Sequence, residues 1–408
     1  MPSTRSALPL SMLAVAAFVY NTSESFPVGA LPQMSTSLRV SESQVGALLT
    51  VYAAVVAVTA IPFVVWTSHV ARRRLVMITV LLLAASSLAI AASPNYELLL
   101  GARLLSATTH GIFWSMLAPT AAMLVSAERR GRATAVVFAG SSLALVAGTP
   151  LVSAVSSAVG WRAAAAGLGV VSIIAAAGLR ATLPPLVSEA DRSSGQWRPF
   201  VALLRARRLG LLCVATIFVV VGYFATYTYV SVFVLEYAGL TGAGLSMVLL
   251  FLGLAGVAAV AVIGKFNDEH PRASTGLCFS ALAAALLMLG VFGSGLPSAW
   301  VVVIAVVLIG GAFTAVPVCL QAAVLRVAPG AGDIASSIYV VAFQVGIAGG
   351  SLAGGALLDG GLMDAVPYAS AAAVAAALLL VLTATRTSRR PEAADAPGMQ
   401  GTALSGRS

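Results

Sequence analysis

Charge is what this 408-residue chain has least of. Only 9% of its residues are Asp, Glu, Lys or Arg, against about 25% in a soluble domain, too few to cover a water-facing surface. Cysteine and histidine are equally sparse, at three each. Cys213, Cys278 and Cys319 fall in separate apolar stretches with no CxxC spacing and no neighbouring His. This excludes a disulfide framework or a zinc site and leaves the thiols as small packing residues. The chain has no GxxxxGK[ST], HExxH or GxSxG motif and no carboxylate cluster. An ATP-driven pump and a membrane hydrolase therefore lack support, and no cofactor or metal is expected. The same composition excludes collagen, coiled coil and a disordered chain.

What is present is apolar length: 59% of residues are hydrophobic. A helix crossing the hydrocarbon needs about 20 apolar residues. Such runs occur at 10–32, 44–66, 75–93, 97–123, 132–155, 163–183, 209–235, 243–264, 273–293, 299–325, 334–357 and 366–385. They are continuous rather than alternating, which excludes a β-barrel, and several are rich in Gly and Ala, which lets membrane helices approach closely. The first run is long, carries Asn21 and Glu24 and ends in no small-residue cleavage site, so it reads as a retained span and not a signal peptide. The expected fold is an all-α membrane protein with twelve transmembrane helices in two six-helix bundles.

The basic residues set the orientation. Twenty-three Lys and Arg against 14 Asp and Glu give a net charge of +9, a balance that can signal nucleic-acid binding. Here the cations are scattered between apolar runs, so no nucleic-acid partner is expected. With the N-terminus inside, Arg72, Arg73, Arg74, Arg129, Arg130, Arg132, the arginines of the middle loop, Lys265, Arg272, Arg326 and Arg386 share one face. The opposite face receives Arg39 and Arg162. This asymmetry places both termini of a multi-pass membrane protein in the cytoplasm.

The longest polar interruption, 184–208, follows six runs and separates 1–183 from 209–385; residues 386–408, rich in Ala, Pro, Gly and Arg, read as a disordered cytoplasmic tail. Six plus six around a cytoplasmic linker is a secondary-transporter arrangement. A local echo supports a repeat: WTSHVARRR follows the second run of the first half and GKFNDEHPR the second run of the other half.

Ionisable groups inside spans are costly and mark function. Glu24 and Arg103 both fall roughly 8–13 Å below the outer surface at 1.5 Å rise per residue, so they could face each other. Two readings stand at this point: a static ion pair joining two helices, or a Glu24 that gains and loses a proton with Arg103 tuning it or contacting substrate. His110 lies two turns from Arg103 on the same face, continued by Trp114. His110 reads either as a hydrogen-bonded packing residue or as a proton relay or substrate contact. Asn21, one turn before Glu24, could bond the carboxylate or a ligand. The second half offers Tyr223 and Tyr227 one turn apart, with Gln321, Tyr339 and Gln344 in later spans. Hydroxyl-bearing rings and amides suit a polar, uncharged ligand, whereas Tyr229 and Tyr237 read equally well as packing or interfacial residues.

At these residues the chain resembles the major facilitator superfamily, and within it the twelve-span drug:proton antiporters of the sugar, nucleoside and chloramphenicol-type efflux branch. The resemblance covers about residues 10–385. TSESFPVGALPQM places Glu24 on that branch's acidic position, and GARLLSATTHGIFWS resembles its Arg-containing fourth helix with a His-Gly-x-Phe-Trp run. FAGSSLALVAGTPL, with Gly140, Gly148 and Pro150, resembles the antiporter motif associated with export. YTYV and AFQVGIAGG are similar to the seventh and eleventh helices, with Gln344 where Asn is usual. The loop between spans two and three departs from the family: it keeps Arg72, Arg73 and Arg74 but lacks the usual Asp, with Ser68 or His69 near its place. The second-half copy keeps Gly264, Asp268 and Arg272. These residues are the expected cytoplasmic gate.

The resemblance implies a proton-coupled exporter of a small molecule such as a sugar, a nucleoside-like metabolite or an antibiotic. It would work by alternating access as a monomer, with protons, substrate and the lipid bilayer as its partners. A proton-coupled uptake symporter of the same fold is the main alternative, and a non-transporting membrane sensor a lesser one. No enzyme activity is expected.

Overall fold

The computed structural model describes residues 4–67, 70–126, 130–184, 206–293, 299–328 and 332–386. Among these there is no strand, and the helices form twelve rods. The first half contains α1 (Thr4–Leu38), α2 (Glu42–Thr67), α3 (Arg72–Ala92) and α4 (Tyr96–Met123). The next rod, α5, is Arg130–Leu143, a π-helical turn Ala144–Gly148 and Thr149–Val159, and it is followed by α6 (Trp161–Thr182). The second half contains α7 (Arg207–Tyr227, resuming as Val230–Ala238), α8 (Gly242–Glu269) and α9 (Pro271–Gly293). It is completed by α10 (Ala299–Val327), α11 (Gly332–Asp359) and α12 (Ala365–Arg386).

Ten rods, α2, α3 and α5 to α12, contain stretches long and apolar enough to cross a membrane. The other two, α1 and α4, carry Asn21, Glu24, Arg103 and His110, and polar residues lower a helix's mean hydropathy. Local chemistry punctuates the rods. Ser41 and Gln44 form a reciprocal capping box at the start of α2, with Ser41 N–H to Gln44 Oε1 at 2.9 Å and Gln44 N–H to Ser41 Oγ at 3.2 Å. Asn95 caps α4 through Leu98 N–H. Gly160, at φ 95°, turns α5 straight into α6.

Within the first half α1 packs on α5 and α6, and α3 and α2 both pack on α4. Within the second, α7 packs on α11 and α12, and α10 on α8 and α9. The halves meet where α2 lies along α11 and α5 along α8. Because successive rods alternate in direction, Thr4 and Arg386 lie at one end, termed here the terminal end; the other is the distal end. One apolar core runs across both halves and takes its first-half members from distal residues such as Phe26, Leu31, Met34, Val45 and Trp161. The terminal end of the first half has a core of its own, built on Leu13, Leu75, Leu117 and Leu179.

Close approach at the distal seam depends on small residues. The Tyr229 ring lies against Gly46 of α2 and Gly355 of α11, where a Cβ on either glycine would collide with it. Its hydroxyl donates to Ser351 O at 2.9 Å. Tyr229 is thus a buried packing residue, the bland alternative of the sequence reading.

Candidate transport site

Helix α1 contains Pro9, Pro27 and Pro32, and each proline removes the N–H that would bond the carbonyl four residues earlier. Two of the freed carbonyls are used in tertiary contacts. Pro27 frees Ser23 O, which accepts from Arg103 Nη1 at 3.1 Å, while Arg103 Nη2 donates to Glu24 O at 3.1 Å. Pro32 frees Val28 O, which accepts from Ser231 Oγ of the other half at 2.8 Å.

Of the two readings that the sequence left open, the static Glu24–Arg103 ion pair is not formed. The guanidinium, 1% exposed, grips the α1 backbone, and among the described residues no Glu24–Arg103 side-chain ion pair forms within 4 Å. The physical reason is the proline. An unsatisfied buried carbonyl costs about 1–3 kcal/mol, and a planar fork of donors suits two adjacent carbonyls.

The Glu24 carboxylate instead faces the other half. Gln344 Nε2 of α11 donates to Glu24 Oε1 at 3.2 Å, and Gln344 Oε1 is buried with no hydrogen-bond partner among the described residues. Nearby, Thr149 Oγ1 donates to Ser25 Oγ at 3.1 Å and lies 3.4 Å from the Tyr227 hydroxyl of the second half. Asn21 does not reach the carboxylate: its amide donates to Ser141 Oγ at 2.7 Å and Ser141 O at 3.3 Å, tying α1 to α5. Among the described residues, the polar contacts between the halves lie at mid-depth or beyond it toward the distal end, where Ser43 Oγ donates to Asp359 Oδ2 at 2.7 Å and Ser246 Oγ to Ser153 Oγ at 3.2 Å. Together with the shared distal core, they close that end.

His110 is buried among aromatic side chains. Its Nδ1 lies 3.0 Å from the Tyr52 hydroxyl, and the Tyr20 ring stands edge-on to it at 6.2 Å. Trp114 is 6.0 Å away and also touches Phe113 and Phe138. Arg103 sits 5.0 Å above the centroid of the same Tyr52 ring, a cation–π contact worth up to about 2 kcal/mol when desolvated.

In the second half the aromatics form one wall. Tyr223 stacks on Phe313 at 3.5 Å and on Tyr227 at 4.9 Å. Phe313 continues to Phe343 and Phe343 to Tyr339, each pair at 6.2 Å. The Tyr339 hydroxyl is buried without a hydrogen-bond partner among the described residues. Gln321 does not join this wall by its amide, which donates to Ser336 Oγ at 2.7 Å and links α10 to α11.

The chain matches the family model described as Major Facilitator Superfamily over residues 13–348. It belongs to that superfamily. Chloramphenicol efflux pumps from two strains of Mycobacterium tuberculosis, CDC 1551 / Oshkosh and ATCC 25618 / H37Rv, are each 39% identical to this facilitator over 357 residues, covering 85% of both chains. Among solved structures, a peptide transporter superposes with a TM-score of 0.76 at 14% identity, covering 93% of this chain and 95% of its own. A nucleoside transporter superposes with a TM-score of 0.72 at 12% identity, covering 92% and 99%. These two show the fold alone; the superfamily match and the efflux-pump relatives make the chain a multi-pass membrane transporter, not an enzyme.

Along α5, Gly140 backs onto the Ala14 carbonyl and Gly148 onto the Thr22 side chain, so α5 lies directly on α1. The π-helical turn ends at Gly148, one residue before the buried Thr149 and Pro150. A π-turn carries one extra residue and often marks a functional position. At the terminal end Arg73 Nη2 donates to Arg180 O at 2.7 Å and Arg72 Nη1 lies 3.6 Å from Met123 Sδ. Those two arginines, expected from the sequence at a cytoplasmic gate, are held by their own half. Arg74 and Arg272 are exposed on the first turns of α3 and α9. Gly264 and Asp268 lie on α8, with their side-chain surroundings outside the described residues, as are Ser68, His69, residues 185–205 of the middle loop and the tail from 387.

Sequence reasoning missed Tyr52, Ser141, Thr149, Phe313 and Phe343. Phe313 and Phe343 are apolar residues in apolar runs and carry no signal of their own. Tyr52 carried a weak one, a hydroxyl at the middle of a span. Cys278 and Cys319, expected as unrelated packing residues, lie against each other between α9 and α10.

Proposed function

We propose that this facilitator exports a small, largely uncharged aromatic molecule in exchange for protons, and that Glu24 carries the proton. One observation carries this reading: the Glu24 carboxylate lies at the seam between the halves with Gln344 as its partner, while the nearby cation is committed to backbone carbonyls. A carboxylate without a paired cation can be neutralised at little electrostatic cost. A hydrogen bond to an ionised acceptor is roughly twice as strong as one to a neutral acceptor, so the Gln344–Glu24 contact is strongest while the carboxylate is charged.

In this proposal all twelve rods span a bacterial inner membrane with both termini cytoplasmic. Residues 1–183 and 209–385 then rock as two bundles about the site. The distal end is periplasmic, and the distally closed state faces inward. Protons from outside neutralise Glu24 when the distal seam opens, which weakens its bond to Gln344. Release inside restores the charge. Each proton moving inward supplies about 2.3 kcal/mol per 100 mV.

Tyr223, Tyr227, Phe313 and Phe343 offer stacking faces, and Tyr339 OH and Gln344 Oε1 are unpartnered polar atoms near them. That combination suits an aromatic ring bearing amide or hydroxyl groups. The efflux relatives named for chloramphenicol support an amphenicol as the first substrate to test. The test is drug-dependent proton movement in vesicles containing the wild type or Glu24→Gln. The variant is expected to insert normally and lose proton coupling; undiminished coupling would overturn the assignment.

A further inference from the structure

We propose that Tyr52 of α2 is a positioning residue of the coupling site, holding Arg103 with its ring and His110 with its hydroxyl so that the two act as one unit. This role rests on proton exchange at Glu24.

The arrangement follows from spacing on α4. Arg103, Ala107 and His110 occupy one face at i, i+4 and i+7. Ala107, fully buried, projects only a methyl group, and Tyr52 packs there with Val56 in a small apolar cluster of its own. The ring thus fits between a cation above and an imidazole below. The guanidinium is 5.0 Å from the ring centroid, and the hydroxyl is 3.0 Å from His110 Nδ1. The His110 and Tyr52 rings are close to perpendicular, at 88° and 5.7 Å. Tyr52 is 1% exposed, so water does not compete for either contact.

Arg103 passes the constraint on. Its two Nη groups hold Ser23 O and Glu24 O, while its Nε is buried with no hydrogen-bond partner among the described residues. The ring face of Tyr52 is the contact that fixes the guanidinium from α2. A change in the His110–Tyr52 hydrogen bond therefore moves the platform under Arg103, and with it the α1 backbone that presents the Glu24 carboxylate. A phenol hydroxyl can donate to Nδ1 or accept from it, so the contact survives a change of imidazole protonation with its direction reversed. The titratable and charged groups facing His110 are Tyr20 and Glu24 from α1 and Tyr52 from α2, and Arg103 on its own helix meets the Tyr52 ring. No second histidine or carboxylate from α4 joins them.

Two substitutions separate the contacts. Tyr52→Phe keeps the ring under Arg103 and removes the hydroxyl; Tyr52→Leu removes both. The full-length protein is labelled with 15N-histidine, of which the chain has three, and the His110 ring resonances are followed against pH alongside chloramphenicol-driven proton exchange in vesicles. Tyr52→Phe is expected to shift the His110 Nδ1 resonance and give the exchange–pH profile of His110→Gln, while its KM stays within about twofold of wild type, a free-energy change under about 0.5 kcal/mol. Tyr52→Leu is expected to raise KM as well. The Tyr52→Phe/His110→Gln double variant should match either single one. A wild-type Nδ1 resonance and pH profile in Tyr52→Phe, or additive effects in the double variant, would overturn the role of Tyr52. Undiminished coupling in Glu24→Gln would instead remove the proton-exchange reading, leaving the resonance shift as an independent measure of the Tyr52 contact.

Discussion

Gln344 reaches across the seam between the two halves and donates its amide to the carboxylate of Glu24 at 3.2 Å. This contact joins the acidic group of α1 to α11 of the opposite half. Its strength depends on the charge of Glu24, and in the proposed cycle it links the relative position of the halves to the protonation of that residue.

Replacing Gln344 should therefore alter coupling before it alters folding. A hydrogen bond to a charged group contributes about 1.5–3 kcal/mol. Gln344→Leu is expected to lower proton-driven export by tenfold or more, with normal membrane insertion, whereas Gln344→Asn should retain part of the activity. Equal export by wild type and Gln344→Leu in the vesicle assay would show that the contact is incidental.

Arg103 should resist conservative replacement. Lysine has no fork with which to hold Ser23 O and Glu24 O together, so Arg103→Lys is expected to lose most transport and melt at a lower temperature in detergent. Pro27→Ala restores an N–H for Ser23 O, and it should relieve part of the thermal loss when added to Arg103→Lys. An absence of any such rescue in melting curves would argue against the proline-freed carbonyl as the reason for the Arg103 geometry.

Closure of the distal end should be blocked by bulk at Gly46. A side chain there meets the Tyr229 ring, so Gly46→Leu is expected to hold the distal seam open and stop the transport cycle. Spin labels at Ser41 and Leu358, at the distal ends of α2 and α11, would report a longer distance than in the parent protein. An unchanged distance distribution would refute this account of the seam.

The aromatic wall should contribute to drug affinity in steps. An aromatic pair adds about 0.5–1.5 kcal/mol beyond its buried area. Phe313→Ala or Tyr223→Ala is thus expected to raise the KM for chloramphenicol by about threefold to tenfold, with proton coupling retained. If both variants transport with an unchanged KM, the substrate does not stack on that wall.

Much of the architecture was legible because a bilayer imposes strict rules on sequence. Apolar runs at 44–66, 163–183 and 273–293 correspond closely to α2, α6 and α9, since a span must satisfy its backbone internally and present apolar side chains to lipid. The rarity of intramembrane charge singled out Glu24, Arg103 and His110 on energetic grounds alone. The partners of those residues were far less legible. Matching Glu24 to Arg103 by depth used charge and distance along the axis, but a guanidinium also responds to open carbonyls, and the consequence of Pro27 for Ser23 appears only when α4 lies beside α1. Phe313 and Phe343 could not be separated from other apolar residues because lipid-facing and site-facing rings look alike in an apolar run.

The sequence by itself determined that this protein is a helical membrane transporter and which residues are too polar to be lipid-facing. Span length, hydropathy and charge are properties of single segments, and the bilayer reads them segment by segment. Only the tertiary structure decided that Arg103 holds backbone, that Gln344 holds Glu24, that Tyr52 lies between Arg103 and His110, and that the distal end is closed. Those outcomes depend on which faces meet and on which buried polar groups compete for the same donor, quantities defined only once the helices are packed.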